Sequence, residues 1–395
     1  MSSALTEPTQ HELYERLAHF DGALVAAAER HSALERFFSL PSGREKPGRF
    51  WRVDFESIVP EHGAVAPADV RIENRDSALI VCDLATAARE HPTLFARAFR
   101  ATNVTANKFG ALTEAFAGAG VFIYVPADHA CDDPVVISYH APVGAAIFPW
   151  SVVFAERGAR VTVVERITAA ANALVVGATE IVSGDHADVT YAALQQSNDR
   201  ARAIFNRRAQ PGRDARVACA IAELGAELAA DDVSVAIAEP GAEAQVTALF
   251  FPVGSQHVDV VSTVEHRAGE ASSETLVKSA ASERGQARFL GNIRIAPHAQ
   301  GSDARLRDDA LLLSATAHVD SVPALEIGAN DVKAYHGATV GAIDAEQIFY
   351  MESRGIERFA AERMIALGFF EPAIERFPSS GLRDEIRAAL AAKLR

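Results

Sequence analysis

Residues 156–165 read ERGARVTVVE, 183–194 read SGDHADVTYAAL, 240–251 read PGAEAQVTALFF and 267–278 read RAGEASSETLVK. In each, a Gly turn opens a short β run. The glycines Gly158, Gly184, Gly212, Gly241 and Gly269 are separated by 26, 28, 29 and 28 positions by subtraction. Alternation marks the runs as strands, with Val161 and Val163, Val189 and Tyr191, then Val233, Val235 and Ile237 each lining one face. No helical pattern of about 10 residues intervenes to build a βαβ crossover. A turn-plus-strand unit cannot bury its own apolar face, so a chain that repeats it at a steady period stacks the units on one another. The expected fold is mainly β, a β-solenoid; a β-sandwich with irregular hairpins is the alternative, and it has no reason to hold a period.

Strand texture begins near Gly120, where Val121, Ile123 and Val125 share a face, which gives a core over 119–342. Upstream, 1–118 is mostly helical. A helix is expected over 9–40 from the spacing of Leu13, Leu17, Phe20, Leu24 and Val25, and is broken by Pro41, Ser42 and Gly43. A second helical tract runs from Leu84 to Ala117, interrupted at His91 and Pro92, with a short strand near Ala78 to Val81. Downstream, 343–395 is helical again, over Asp344 to Arg354, Glu357 to Leu367, Pro372 to Phe377 and Leu382 to Leu394. A solenoid needs its ends capped, and the helices at both termini are candidates for that role. Ile348, Phe349, Met351, Phe359, Met364 and Ile365 exceed what a short helical hairpin buries, so part of the tail is expected either to face a partner or to pack back on the end of the solenoid.

The charge of −14 over 395 residues argues against nucleic acid and anionic membranes, which select for clustered Lys and Arg, and leaves proteins as the expected partners. Cys82, Cys131 and Cys219 are scattered and form no C-x-x-C, so neither a disulfide framework nor a zinc motif is indicated and a reducing cytoplasm fits. The start, MSSALTEPTQHELYERL, lacks a basic and apolar leader, and no apolar run reaches the roughly 20 residues of a membrane span. There is no Gly-Lys pair, hence no P-loop and no nucleotide held that way, and no G-x-S-x-G or H-E-x-x-H. The loop with His129, Cys131, Asp132 and Asp133 resembles many exposed acidic turns and is set aside as a metal site. His257, His266 and His318 sit in strand-like runs where a hydrogen-bonded structural ring is the default. Cys82 and Cys219 lie in apolar settings that suit a small core side chain.

The segment NDVKAYHGATVGAIDAEQIFYMESRGI, 330–356, joins a strand to a helix and places His336 between Lys333 and the glycines Gly337 and Gly341, where an imidazole can reach a metal or an anion. One imidazole cannot hold an iron–sulfur cluster, which ordinarily takes four ligands, mostly thiolates, so another chain would have to complete it. This segment resembles the signature of the SufB/SufD scaffold family of iron–sulfur cluster assembly. Further resemblance lies in EKPGRFWRV (45–53), KFGALTEAFAGAGVFIYVPADHA (108–130), FPWSVVFAERGARVTVVE (148–165) and RFLGNIRIAPHAQGSDARLRDDALLLS (288–314), so it extends from about residue 45 to the end.

The resemblance implies a right-handed parallel β-helix and a non-catalytic scaffold that pairs with SufB and docks the ATPase SufC on its carboxy-terminal helices. It also implies a transient iron–sulfur cluster at the SufB interface, with His336 as a proposed ligand. SufD is the nearer branch, because Met351 stands where SufB-like chains carry a thiol; Ala334 replaces a cysteine found in some SufD-like chains, which weakens any sulfur ligation from this subunit. By position alone, Glu352, Arg354, Gly355 and Phe369 are candidates for ATPase docking. The remaining alternatives are a β-helical acyltransferase with His336 as general base, for which two turns at Ile327-Gly328 and Val340-Gly341 are too few, and a purely structural solenoid. An unpaired sheet edge would also allow a homodimer when the chain is alone.

Overall fold

In this computed structural model the described residues are 7–18, 25–40, 53, 65–66 and 68–394. The expected break at 41–43, together with Phe20, Leu24 and nearly all of the segment 45–53, lies outside them. The region before the core holds helices α1 (Glu7–Ala18) and α2 (Ala27–Ser39), strands β1 (Asp69–Glu73) and β2 (Ile80–Asp83), and helices α3 (Leu84–Glu90), α4 (Pro92–Ala98) and α5 (Lys108–Phe116). The expected single helix over 9–40 is thus two, since Ala26 is extended and N-caps α2. The tract over 84–117 is three helices, with Pro92 opening α4 and Asn107 capping α5 through the Gly110 amide.

The solenoid strands follow. They are β3 (Ala119–Val125), β4 (Val135–Ala141), β5 (Ala146–Ile147), β6 (Pro149–Ala155), β7 (Arg160–Ala169), β8 (Leu174–Ser183) and β9 (Asp188–Gln195). Next come β10 (Arg202–Gln210), β11 (Arg216–Glu223), β12 (Leu228–Ile237), β13 (Glu243–Phe250), β14 (His257–His266) and β15 (Ser272–Ala281). The last are β16 (Gln286–Ile295), β17 (Ser302–Leu312), β18 (His318–Ile327) and β19 (Val332–Ala342). They form two sheets, ordered β1-β4-β7-β9-β11-β13-β15-β17-β19 and β18-β16-β14-β12-β10-β8-β6-β3-β2, so about eight turns stack in a parallel solenoid. Only β1 and β2 run antiparallel, against β4 and β3.

Register partners one turn apart, such as Val161, Val189, Val217 and Ala244, are 28, 28 and 27 residues apart by subtraction, which matches the glycine spacing. The glycines do not, however, share one position. The left-handed corner residue, two before the first paired residue, is Gly158, His186, Asp214, Gly241 and Glu270 in successive turns, followed by Gly301 one before Ser302. Gly184 and Gly212 precede that corner and are needed for contact: a Cβ on Gly184 would sit 2.7 Å from the Arg157 amide nitrogen, and one on Gly212 would sit 2.6 Å from the Gly184 carbonyl carbon. The repeat in the sequence records the corner as a whole.

Between the sheets lies an apolar core of inward residues including Val121, Val163, Val189, Phe205, Val233 and Phe289. Inside it is a buried ionic group. Arg207 donates from Nε to Asp231 at 2.8 Å and from Nη1 to Glu165 at 2.9 Å, and Tyr191 donates to Glu165 at 2.6 Å. Burial, together with the Asp231 carboxylate beside it, holds Glu223 well above the usual carboxylate range. Replacing either partner of such a pair strands an uncompensated charge.

Helices cover the outer faces of the sheets instead of capping the ends, which corrects the expected arrangement. α2 and α5 pack on Val176, Ile204 and Ala230 of the ten-stranded sheet and on Phe148 between β5 and β6. α3 and α4 extend this layer over Trp150 and Phe154, with the Phe99 and Trp150 rings 4.6 Å apart. After the solenoid come α6 (Ala345–Ser353), α7 (Arg358–Ile374) and α8 (Ser380–Lys393). Ala366, Phe370, Ile386 and Leu390 of α7 and α8 cover Ala192, Ala222 and Leu249 on the nine-stranded sheet and Phe251 just after β13. α7 runs on through Pro372 to Ile374, where a new helix was expected to start; Phe370, Ala373 and Ile374 on either side of the proline are buried against the nine-stranded sheet, which offsets the one backbone hydrogen bond that Pro372 cannot donate.

Candidate functional site

The two ends of the solenoid differ. At the first turn β1 and β2 pair antiparallel with β4 and β3 and close the stack, whereas β18 pairs only with β16, and β19 only with β17. The last turn therefore presents two parallel strand edges with unpaired backbone donors and acceptors.

His336 lies on β19, in register with Leu306, Thr275, Val246 and Cys219 of the preceding turns. Cys219, Val246 and Leu306 are core residues, and Val332 and Ala334 of β19 pack on that core. Strand alternation places His336 on the same inward face, exposed because no further turn covers it. Gly337 leaves room for the Tyr335 ring, whose hydroxyl a Cβ there would meet at 2.5 Å. Tyr335 and Val340 are exposed along the strand, and Ile327 is exposed at the end of β18.

Polar groups line the layer beneath. Asp308, in register with Ala338, is buried, accepts a short hydrogen bond from Ser321 of the facing sheet, and has its Oδ1 buried without a partner. Burial, with Asp309 alongside, pushes its carboxyl up to about 7. Asp309 accepts from Lys278 Nζ at 2.8 Å and from the Thr339 hydroxyl at 2.7 Å, and these bonds hold it below the usual carboxylate range.

As ligands for an iron–sulfur cluster, β18 and β19 supply the imidazoles of His336 and His318 and no thiolate, and His318 is paired with Asp320 of its own strand at 3.1 Å. Cys82 is on β2, Cys131 is beside the first turn, and Cys219 is buried in the middle, its thiol pushed up to about 12 by burial. The donor set fits a cluster only as part of a set shared with another chain.

Glu352, Arg354 and Gly355 lie together at the end of α6. Gly355 takes a left-handed turn at φ 83° that ends the helix, and the Arg354 guanidinium lies 5.3 Å from the Tyr350 ring centroid. Phe369 is apart from them: half-buried on α7, it stacks edge-on with Phe370 at 5.3 Å beneath the Lys278 ammonium. Around these residues Phe349, Tyr350, Phe359 and Met364 are exposed, while Ile348 is buried.

His266 is structural: it bonds the Ser273 hydroxyl at 2.8 Å, and burial lowers its pKa to about 4. The loop set aside in the sequence brings together His129 and Cys131, but with Asp76 in place of Asp132 and Asp133. The sequence reading missed Asp76, Asp308 and the ionic group around Arg207. For Arg207 a signal existed, a charge at the inward parity between Phe205 and Ala209.

Residues 138–369 match the family model described as SUF system FeS cluster assembly, SufBD core domain. The chain is 29% identical over 331 residues to the iron–sulfur cluster assembly protein SufD of Bacillus subtilis, covering 82% of this chain and 76% of that protein. It is 39% identical over 150 residues to the protein of the same name from Escherichia coli, covering 38% of this chain and 36% of that one. It is also 27% identical over 344 residues to an iron–sulfur cluster assembly SufBD family protein of Staphylococcus saprophyticus, covering 86% and 73%. No described helix is long and apolar enough to cross a membrane. With a match over more than half its length, the chain belongs to the SufB/SufD family of SUF iron–sulfur cluster assembly proteins, on the SufD side of it.

Proposed function

We propose that this chain is a non-catalytic SufD-like scaffold subunit of the cytoplasm, which pairs with a SufB-like chain through β18 and β19 and offers α6 and α7 to a SufC-like ATPase. One observation carries the reading: His336 stands on the uncovered inward face of the last turn, between two unpaired strand edges. A partner that continues the sheets there covers His336 and satisfies the edges in one step. The cluster is cargo, and the chain contributes the His336 nitrogen while the partner contributes thiolates. When SufB is absent, a second copy of this chain is the substitute partner for the same edges.

The tail suits transmission of force. α7 and α8 are fixed to the solenoid by Phe370 against Phe251 at 6.1 Å, by Arg376 with Glu274 at 2.7 Å and by Arg166 with Glu385 at 3.2 Å. ATPase closure on the exposed α6–α7 face therefore moves the solenoid as a body and shifts its last turn relative to the partner. Glu352, Arg354 and Gly355 belong to that docking face, and Phe369 acts from behind it by holding α7 to the solenoid.

The test is co-purification from cells expressing the chain with SufB and SufC partners, followed by anaerobic iron and sulfide analysis. His336→Ala is expected to leave the complex intact and lower its cluster content. Unchanged content makes His336 structural, and failure to bind either partner overturns the scaffold reading.

A further inference from the structure

We infer that Asp76, His129 and Cys131 form a binding site for a single zinc-class divalent cation at the first turn, at the opposite end of the solenoid from His336. One donor atom from each lies within 4.8 Å of the others, and His129 Nε2 is 2.6 Å from Asp76 Oδ2. Imidazole, thiolate and carboxylate are the ligand types that zinc takes, and three protein ligands leave a fourth position for water.

The backbone holds these donors in place before any ion arrives. Ala130 bridges to Arg160; the Cys131 amide donates to the Arg160 carbonyl at 2.9 Å, and the Arg160 amide donates to the His129 carbonyl at 2.8 Å. His129 and Cys131, two apart in this extended segment, project to the same side. Asp76 comes from the β1–β2 connection, more than fifty residues earlier, with its Oδ1 engaged by the Ala78 amide at 3.0 Å so that Oδ2 faces His129. Asp132 and Asp133 follow directly and add negative charge that favours a cation, offset in part by Arg75 at 4.0 Å from Asp133.

Zinc bonds of about 2.0–2.3 Å place tetrahedral ligands about 3.2–3.8 Å apart, so the His129–Asp76 contact has to open by only about 1 Å. In the metal-free protein the Cys131 thiol shares its proton with Asp76 in a hydrogen bond. The cation displaces that proton to solvent as the sulfur–metal bond forms. Such an ion ties the β1–β2 segment to the first turn.

Cobalt(II) is the probe. Added to the purified, metal-stripped full chain, it is expected to give a near-ultraviolet thiolate-to-cobalt band that saturates at one equivalent and is removed by zinc. Cys131→Ser should abolish the band, and Asp76→Asn and His129→Asn should weaken binding by more than the roughly 10–100-fold of an outer-shell change. Zinc should raise the melting temperature of the wild type and not that of Cys131→Ser. The absence of a band in the wild type, or a band that survives Cys131→Ser, overturns the site and leaves the three residues as a hydrogen-bonded turn. If Cys131→Ser does not fold, Asp76→Asn decides by the same two readings.

Discussion

One column of inward positions, Val163, Tyr191, Cys219, Val246, Thr275, Leu306 and His336, runs along the nine-stranded sheet through turn after turn. In the middle of the solenoid each of these side chains has a turn above and a turn below and is buried. At the last turn His336 has Leu306 on one side and nothing on the other. The same backbone position is therefore core packing in the interior and an exposed imidazole at the end. Stacking decides which, and the free edges beside His336 are the feature that a partner would remove.

The largest expected effect comes from breaking the covered middle. Arg207→Ala should cost about 3–5 kcal/mol, because it strands Glu165 and Asp231 in the core without a counter-charge. Urea unfolding reads this directly, and a loss below 1 kcal/mol would mean that the carboxylates are protonated or reached by water. A sharper comparison pairs two substitutions in the one column. Leu306→Ala should cost about 2–5 kcal/mol as a cavity in the core, whereas His336→Ala on the exposed turn should change stability by less than about 0.5 kcal/mol. Equal losses would show that the last turn is already covered in solution, as a homodimer would cover it.

Asp308 marks the border between the two regimes. Its carboxyl is raised from an ordinary value near 3.8 to about 7, so the folded state binds the proton more tightly than the unfolded state does. Its contribution is fully present at acid pH and is lost as pH rises through the window from about 4 to 7. Asp308→Asn keeps the shape without the charge and should add about 2–3 kcal/mol at pH 8 and little at pH 4. Unfolding curves at the two pH values check this, and an equal effect at both would remove titration of Asp308 as the cause.

Much of the fold is legible in the chain. The alternating texture from about residue 120 corresponds to β3 onward, although β1 joins the same sheets from Asp69, and the 28-residue spacing is the chain length of one turn. Helices were legible as a class but not at their joints: Ala26 splits one expected helix and Pro372 fails to separate two others, because capping and the packing of a helix on the sheet are settled by neighbours. The placement of the terminal helices was misjudged, since an apolar helix face does not say whether it covers the side of a stack or its end. At the candidate metal site, two of the three donors sit two residues apart, while Asp76 joins them only through the antiparallel pairing of β1 with β4 and β2 with β3.

The sequence by itself determined the kind of unit, its period, the family and the segment that carries His336, because turn chemistry and side-chain alternation are local properties. The tertiary structure alone decided which side chains share an interior layer: Arg207 with Glu165 and Asp231, Asp308 with Ser321, and His336 above Leu306 with no cover. The reason is geometric. Residues about 28 positions apart lie about 4.8 Å apart once turns stack, so a neighbourhood in this molecule is set by the stack and by where it stops.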